Sequence, residues 1–476
     1  MQHTTKQTLR PALAALAGAL ALGMAGASFN ASATGAEFRL PQFETVKLPS
    51  GLTLYLMERH EVPLISVRAV IKAGAVQDGA QAGLSNLTGD ALLLGSRSHS
   101  KAEIDQAFDF RGARLAGGAG SEASTVQANF AKQDSATLLP LFAEILQQPG
   151  FDAAELAKLR TRKVNGLKQA KESPRNVVNH YYRAMLFGAT PYGQPASGTV
   201  QSVAALTPQD VQQYYQRYYR PDNAAIIVVG DFDTAAMRSQ LESLFGNWQA
   251  SGPALPTPDY GKVQADRARV WLVNKPDAIE TTFMIGGVGI ARNDPDYVPL
   301  QVLNTIIGGR FTSWLNDELR VNSGLTYGAR SEFATLSQTG TFAISSFTAL
   351  PKTAAALELA HKTYQRLWTK GIDAATLESA KAYVKGQFPP RYETSEQLAN
   401  LLGDMYASNV GREQIDNFTR DVDSLTPQRA KQLVDAHFPR LKLQTLLIGK
   451  ADAIRATAAS YGEVTELQIS ADGFQP

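Results

Sequence analysis

In AGLSNLTGDALLLGS, residues 82–96, two polar side chains, Asn86 and Asp90, stand four residues apart. On a helix that spacing places both on one face, a turn apart, where a pair of histidines would converge on one zinc ion. Gly89 occupies the position from which a carboxylate base would act on a metal-bound water. A carboxamide, a glycine and one carboxylate make a poor zinc site, and Asp90 alone offers a hard cation little. The 476 residues include no cysteine, so thiolate ligands and thiol nucleophiles are excluded. The histidines supply no substitute. His60-Glu61 in HEVPL begins like a zinc motif, but Leu64 fills its last place and the segment reads as a turn between strands; His99, His180, His361 and His437 are scattered singly.

The helix that would carry these positions is marked by Leu84, Leu87, Ala91 and Leu94, a stripe at i, i+3, i+7 and i+10. It belongs to a larger pattern. QASGPALPTPDYGK, residues 249–262, has the proline and glycine content of a linker, and the order of elements on its two sides repeats. The first side opens with two strands around a turn in TVKLPSGLTLYLMERHEVPLISVRAVIKAG, the second likewise in ARVWLVNKPDAIETTFMIGGVG, and each leads into a helical run, residues 83–95 and 297–307. Each side closes on an aromatic-and-proline turn, an apolar strand and a glycine, in YYRPDNAAIIVVGDFD and HFPRLKLQTLLIGKADA. This internal duplication predicts an α+β protein of two homologous sandwich domains, residues 34–248 and 263–476, joined by the linker as one half of a clam-shell. Each domain is expected to be a mostly antiparallel sheet covered by helices on one side, the two facing each other across a cleft.

Lys6 and Arg10, an apolar run from Ala12 to Leu22 and the small residues Ala31-Ser32-Ala33 read as a secretory signal peptide over residues 1–33. Cleavage is expected after Ala33, with a periplasmic mature protein. No later stretch approaches the ~20 apolar residues of a membrane span. With 46 basic and 44 acidic side chains the net charge is +2 and no charge run stands out, so the chain carries no nucleic-acid footprint.

In several ordered segments the chain resembles the zinc peptidases of the insulinase, pitrilysin and mitochondrial-processing-peptidase type, in their small bacterial branch. AGAVQDGAQAGLSNLTGDALLLGS resembles the family's strand and zinc helix; residues 191–232, from PYGQPASG to IIVVGDF, resemble the end of its first domain; GGRFTSWLNDELRVNSGLTYGARSEF, residues 308–333, resembles a hallmark of its second. The resemblance implies an inverted zinc motif, H-x-x-E-H, at the positions of Asn86, Gly89 and Asp90, so both imidazoles and the base are replaced. It also implies a glutamate ligand on a downstream helix. Glu155 and Glu172 flank an acid-free run there, and a restored ligand would be sought near Asn165 or Gly166.

The resemblance further implies that Arg320 and Tyr327, seven apart in LRVNSGLTYG, hold substrate near the zinc of a facing domain. A guanidinium and a phenol can both donate to a peptide carbonyl or to its oxyanion. The plainer alternative pairs Arg320 with Asp317 or Glu318 and makes Tyr327 an ordinary strand aromatic. Gly308-Gly309 suits a tight turn or a close backbone approach. Together these imply a subunit with no zinc of its own in a heterodimeric periplasmic metallopeptidase, inactive alone, whose homologous partner carries zinc and H-x-x-E-H. An inert scaffold or a peptide-binding protein of the same fold is the alternative. The chain lacks the long glycine-rich loop of the processing peptidase's noncatalytic subunit, so presequence recognition is not implied.

Overall fold

A computed structural model describes residues 38–476 except 258, 262 and 264; the expected signal peptide lies outside the described residues. Strands β1 (Glu44–Lys47), β2 (Thr53–Glu58), β3 (Leu64–Ile71), β4 (Arg114–Ala119), β5 (Ser124–Ala131) and β6 (Ala224–Gly230) form one sheet in the order β1-β2-β6-β3-β5-β4. Strands β7 (Arg269–Asn274), β8 (Glu280–Val288), β9 (Ala329–Thr335), β10 (Gly340–Ala349), β11 (Gln444–Gly449) and β12 (Glu463–Gln468) form the second, in the order β12-β7-β11-β8-β10-β9. Both sheets are mixed and mostly antiparallel, and five strands of one, β2-β6-β3-β5-β4, correspond in order to β7-β11-β8-β10-β9 of the other, as the duplication predicts. The opening segment of the first half holds three strands rather than two, because Pro49-Ser50-Gly51 turns β1 back onto β2.

β2 and β3 are not partners, and neither are β7 and β8. β6 inserts between β2 and β3, parallel to the first and antiparallel to the second, and β11 does the same between β7 and β8. AAIIVVG and QTLLIG can occupy these central places because they are apolar on both faces, and every residue of both strands is buried.

The one-sided covering expected from sequence is not what the sheets have. Leu54, Leu56, Val67, Ile226 and Val228 pack against the first half's own helices Ser135–Gln147 and Thr234–Phe245. The opposite face, with Met57, Val70, Ile227 and Val229, shares a core with Leu398, Leu402 and Met405 of helix Ser395–Ser408, which belongs to the second half. In return, helix Pro174–Phe187 of the first half lays Tyr181, Tyr182 and Met185 on Trp271, Met284 and Ile448, and Tyr182 donates to the Phe342 carbonyl at 2.9 Å. Strands apolar on both faces need two covers, and each sheet borrows its second from the other half.

Two smaller contacts complete the interlock. Glu122, in the β4–β5 turn, accepts from the Ser337 backbone N–H in the β9–β10 turn at 2.9 Å and from the Tyr192 hydroxyl at 2.7 Å. The C-terminal tail crosses back to the first half, where Asp472 accepts from the Val200 N–H at 3.0 Å and Phe474 packs on Tyr181 with ring centroids 5.0 Å apart. The halves are therefore interlocked as well as tethered through residues 249–262. Among the described residues, no helix is long and apolar enough to cross a membrane.

Candidate functional site

The helix expected around Asn86 spans Leu84–Ala91 and continues as one tighter turn to Leu94. Gly83 starts it with φ 91°, a conformation that costs glycine nothing. The Asp78 carboxylate, buried beneath it, accepts from the N–H groups of Gly83 and Ser85 at 2.8 Å each, and burial pushes its pKa up to about 7. Leu84, Leu87, Ala91 and Leu94 are buried as the stripe predicts.

Asn86 and Asp90 face helix Ala153–Ala170. From it Lys163 reaches across and places its Nζ 2.5 Å from Asn86 Oδ1 and 2.5 Å from Asp90 Oδ2, while Asn86 donates to the Ala119 carbonyl at 3.3 Å. An ammonium therefore sits between the two side chains that would have to ligate a metal. Asn165 and Gly166, the expected neighbourhood of a third ligand, face solvent, so the residue that converges on the pair is Lys163 instead. Glu155 is held in the first turn of that helix by Lys158 at 2.7 Å, and Glu172 is exposed beyond its end.

Gly89 has a packing role. A Cβ built there would lie 2.8 Å from the Gly118 carbonyl carbon, and one on Gly117 would lie 3.3 Å from the Gly89 oxygen. The helix thus rests directly on the backbone of edge strand β4 through a seam of glycines, leaving no room for a glutamate without moving the strand. Carboxamide, carboxylate and ammonium do not form a donor set that fits zinc.

Arg320 and Tyr327 lie in the second half, where the chain after helix Tyr297–Asn304 passes through a π-helical turn, Thr305–Gly309, and a short helix, Trp314–Asn316, that leads into a second π-helical turn at Asp317–Asn322. Gly308 is required by a close approach: its Cβ would stand 2.1 Å from the Ser331 nitrogen of β9. Asn304 locks that contact, donating to the Ser331 carbonyl at 3.0 Å and accepting from its hydroxyl at 2.7 Å.

Arg320 and Tyr327 both line an open groove of about 840 Å³ beside this seam. Tyr327 is 83% exposed, and the Arg320 guanidinium lies over the Phe311 ring at 4.7 Å. The plainer pairing is not formed: among the described residues Arg320 pairs with neither Asp317 nor Glu318, and Glu318 is engaged by Arg366 at 3.2 Å. Arg175 and Arg330, which no sequence motif singled out, line the same groove.

The histidines among the described residues have local partners. His60 bridges Asp231 at 2.6 Å and Glu58 at 2.8 Å on the surface; the hydrogen bond to Asp231 is the main reason its pKa is raised, and Lys132 shares Asp231 at 2.8 Å. His437 is not solitary as expected. Its ring stands 2.9 Å from Asp296, with Asp294 adjacent, but Arg429 also binds Asp296 at 2.5 Å and supplies the cation that cluster needs. His99 pairs with Glu144 at 3.1 Å, His180 packs on Phe474, and His361 stacks on Tyr461, where burial pushes its pKa down to about 4.

The lysine between Asn86 and Asp90 was missed in the sequence, yet a signal was present. A carboxylate on a half-buried helix face needs a counter-charge, and the acid-free run downstream, residues 156–171, is rich in lysine and arginine.

Residues 55–200 match the family described as Insulinase (Peptidase family M16), and residues 205–384 the one described as Peptidase M16 inactive domain. The chain is 22% identical over 387 residues to the uncharacterized zinc protease YmxG of Bacillus subtilis, covering 81% of this chain and 93% of that one. It is 24% identical over 382 residues to an uncharacterized zinc protease of Mycobacterium tuberculosis, covering 80% and 87%. The crystal structure of a peptidase M16 inactive domain from Pseudomonas fluorescens superimposes with a TM-score of 0.80 at 25% identity, over 86% of this chain and 98% of that one. A protease from Helicobacter pylori shares the fold with a TM-score of 0.80 at 20% identity, over 86% of this chain and 100% of that one.

Proposed function

Because the chain belongs to the M16 peptidase family, we propose that it is the subunit without zinc of a two-subunit peptidase, exported to the periplasm, where a homologous partner holds the metal. The observation that carries this reading is the Lys163 ammonium, 2.5 Å from both Asn86 and Asp90. To bind there, zinc would have to displace a covalently tethered cation and accept a donor set with no imidazole. The second half keeps the opposite kind of site: exposed donors on Arg320 and Tyr327 in an open groove. An inert scaffold has no use for such donors.

In the assembled enzyme a zinc ion held by the partner would supply the activated water. This chain's part is to bind and orient the peptide. Arg320 holds a backbone carbonyl, and the Tyr327 hydroxyl donates to the oxygen on which negative charge develops.

The test is to co-purify the chain with its zinc-bearing homologue from the periplasm and to assay peptide cleavage by each subunit and by the pair. The chain alone is expected to cleave nothing, and the pair to cleave. Tyr327→Phe is expected to lower turnover of the pair on the order of 100-fold, with zinc content and association unchanged. Arg320→Ala should do at least as much, since it removes a charge and a fork of donors. Two variants that assemble and turn over at the parental rate would make the chain a scaffold and overturn the reading.

A further inference from the structure

The groove beside Arg320 and Tyr327 is strongly biased in charge. Guanidinium groups from Arg175, Arg310, Arg320 and Arg330 line it, against a single carboxylate, Glu332. The chain as a whole is nearly balanced, at +2 over 476 residues, so the bias is local.

Two of the four cations are engaged. Arg175 pairs with Glu280 at 2.6 Å and stacks on Phe347 at 3.5 Å, and Arg310 donates to the Ser379 hydroxyl at 3.1 Å. The other two are not. Among the described residues neither Arg320 nor Arg330 has a carboxylate partner: Arg320 has the Phe311 ring, and Arg330 stands exposed on β9, the edge strand of its sheet. Glu332 shares Arg330's face of β9, since alternate residues of a strand point the same way, but one carboxylate does not balance this set.

A peptide laid in the groove would take water from these guanidiniums. That is unfavourable unless the peptide returns an anion, and a carboxylate matches the planar fork with two parallel hydrogen bonds. Resting on the reading of this groove as a peptide site in which Arg320 holds a backbone carbonyl, we infer that it selects peptides presenting a carboxylate to Arg330. The rings of Phe311 and Tyr327 cover the neighbouring part of the peptide. An acidic side chain and a free C-terminus offer the same two oxygens.

The test uses the full chain and fluorescence anisotropy with three labelled peptides of one sequence. One is capped at both ends and contains two glutamates. The second is capped and has both glutamates replaced by glutamine. The third is the glutamine peptide with a free C-terminal carboxylate. At least one carboxylate-bearing peptide is expected to bind about tenfold or more tightly than the capped neutral one, and the tighter of the two identifies the source of the carboxylate. Arg330→Gln is expected to remove most of that difference. Equal affinity for all three, or a preference untouched by Arg330→Gln, overturns the selection and leaves the peptide site standing. No binding of any peptide overturns the peptide site itself.

Discussion

Lys163 does for Asn86 and Asp90 what a metal ion would otherwise do: it brings positive charge to two oxygen atoms on one helix face. The difference is that the lysine is permanent. Where the resemblance implies histidines, this helix face holds an internal cation, and placing ligands on the helix alone leaves that cation there. The variant N86H/G89E/D90H, with Lys163 retained, is expected to bind no zinc. The variant N86H/D90H/K163E spares Gly89 and exchanges the ammonium for a carboxylate, which makes a three-ligand site of two imidazoles and an acid. It is expected to bind one zinc per chain and to remain inactive for want of a base. Elemental analysis of the two purified variants separates these outcomes, and zinc in the first or none in the second would show that the lysine does not decide the matter.

Gly89 acts at the scale of the element, where helix Leu84–Ala91 meets strand β4. In an isolated helix, alanine would be favoured over glycine by about 1 kcal/mol. Here the added methyl would meet the backbone of Gly118 at 2.8 Å, and backbone cannot rotate away as a side chain can. Overpacking of this kind typically costs about 1–3 kcal/mol. The clash is expected to win, so Gly89→Ala should lower the urea unfolding midpoint. A variant as stable as the parent or more so would mean that the strand yields freely and that the seam is not what holds helix to sheet. The same comparison explains why Gly308 follows its helix: the second half uses a glycine against Ser331 to bring its own turn onto its own edge strand.

At the scale of the molecule the halves are bound by exchange. Residues 251–257 of the linker are largely exposed, while its ends are fastened: Arg220 donates to the Ser251 and Pro253 carbonyls at 3.0 and 2.7 Å, and Tyr260 packs on Tyr192 with ring centroids 4.8 Å apart. Limited proteolysis is expected to cut first within residues 249–262. The fragments should nevertheless elute together in gel filtration, because helix Ser395–Ser408 covers the first sheet and helix Pro174–Phe187 covers the second. Separation of the fragments in native buffer would mean that the exchanged helices contribute too little burial to replace the covalent link.

The division between sequence and tertiary structure follows the range of the interactions. Periodicity placed the Leu84–Ala91 stripe and the duplicated strands, because each is set by contacts within a turn or a strand. Residue type alone was enough to exclude thiolate chemistry and to show that Asn86, Gly89 and Asp90 lack the imidazoles and base of a zinc site. Nothing local could show that β6 and β11 insert between strands joined by a short turn, or that each sheet takes its second cover from the other half. Those outcomes depend on which distant apolar faces find each other. The same holds at the sites. Lys163 meets Asp90 across 73 positions of sequence, read from their numbers, and Arg175 joins Arg320 and Arg330 in one groove only because a helix of the first half crosses to the second sheet. A side chain's spacing along its own helix is written in the chain; the charge it meets from another element is decided when the sheets are covered.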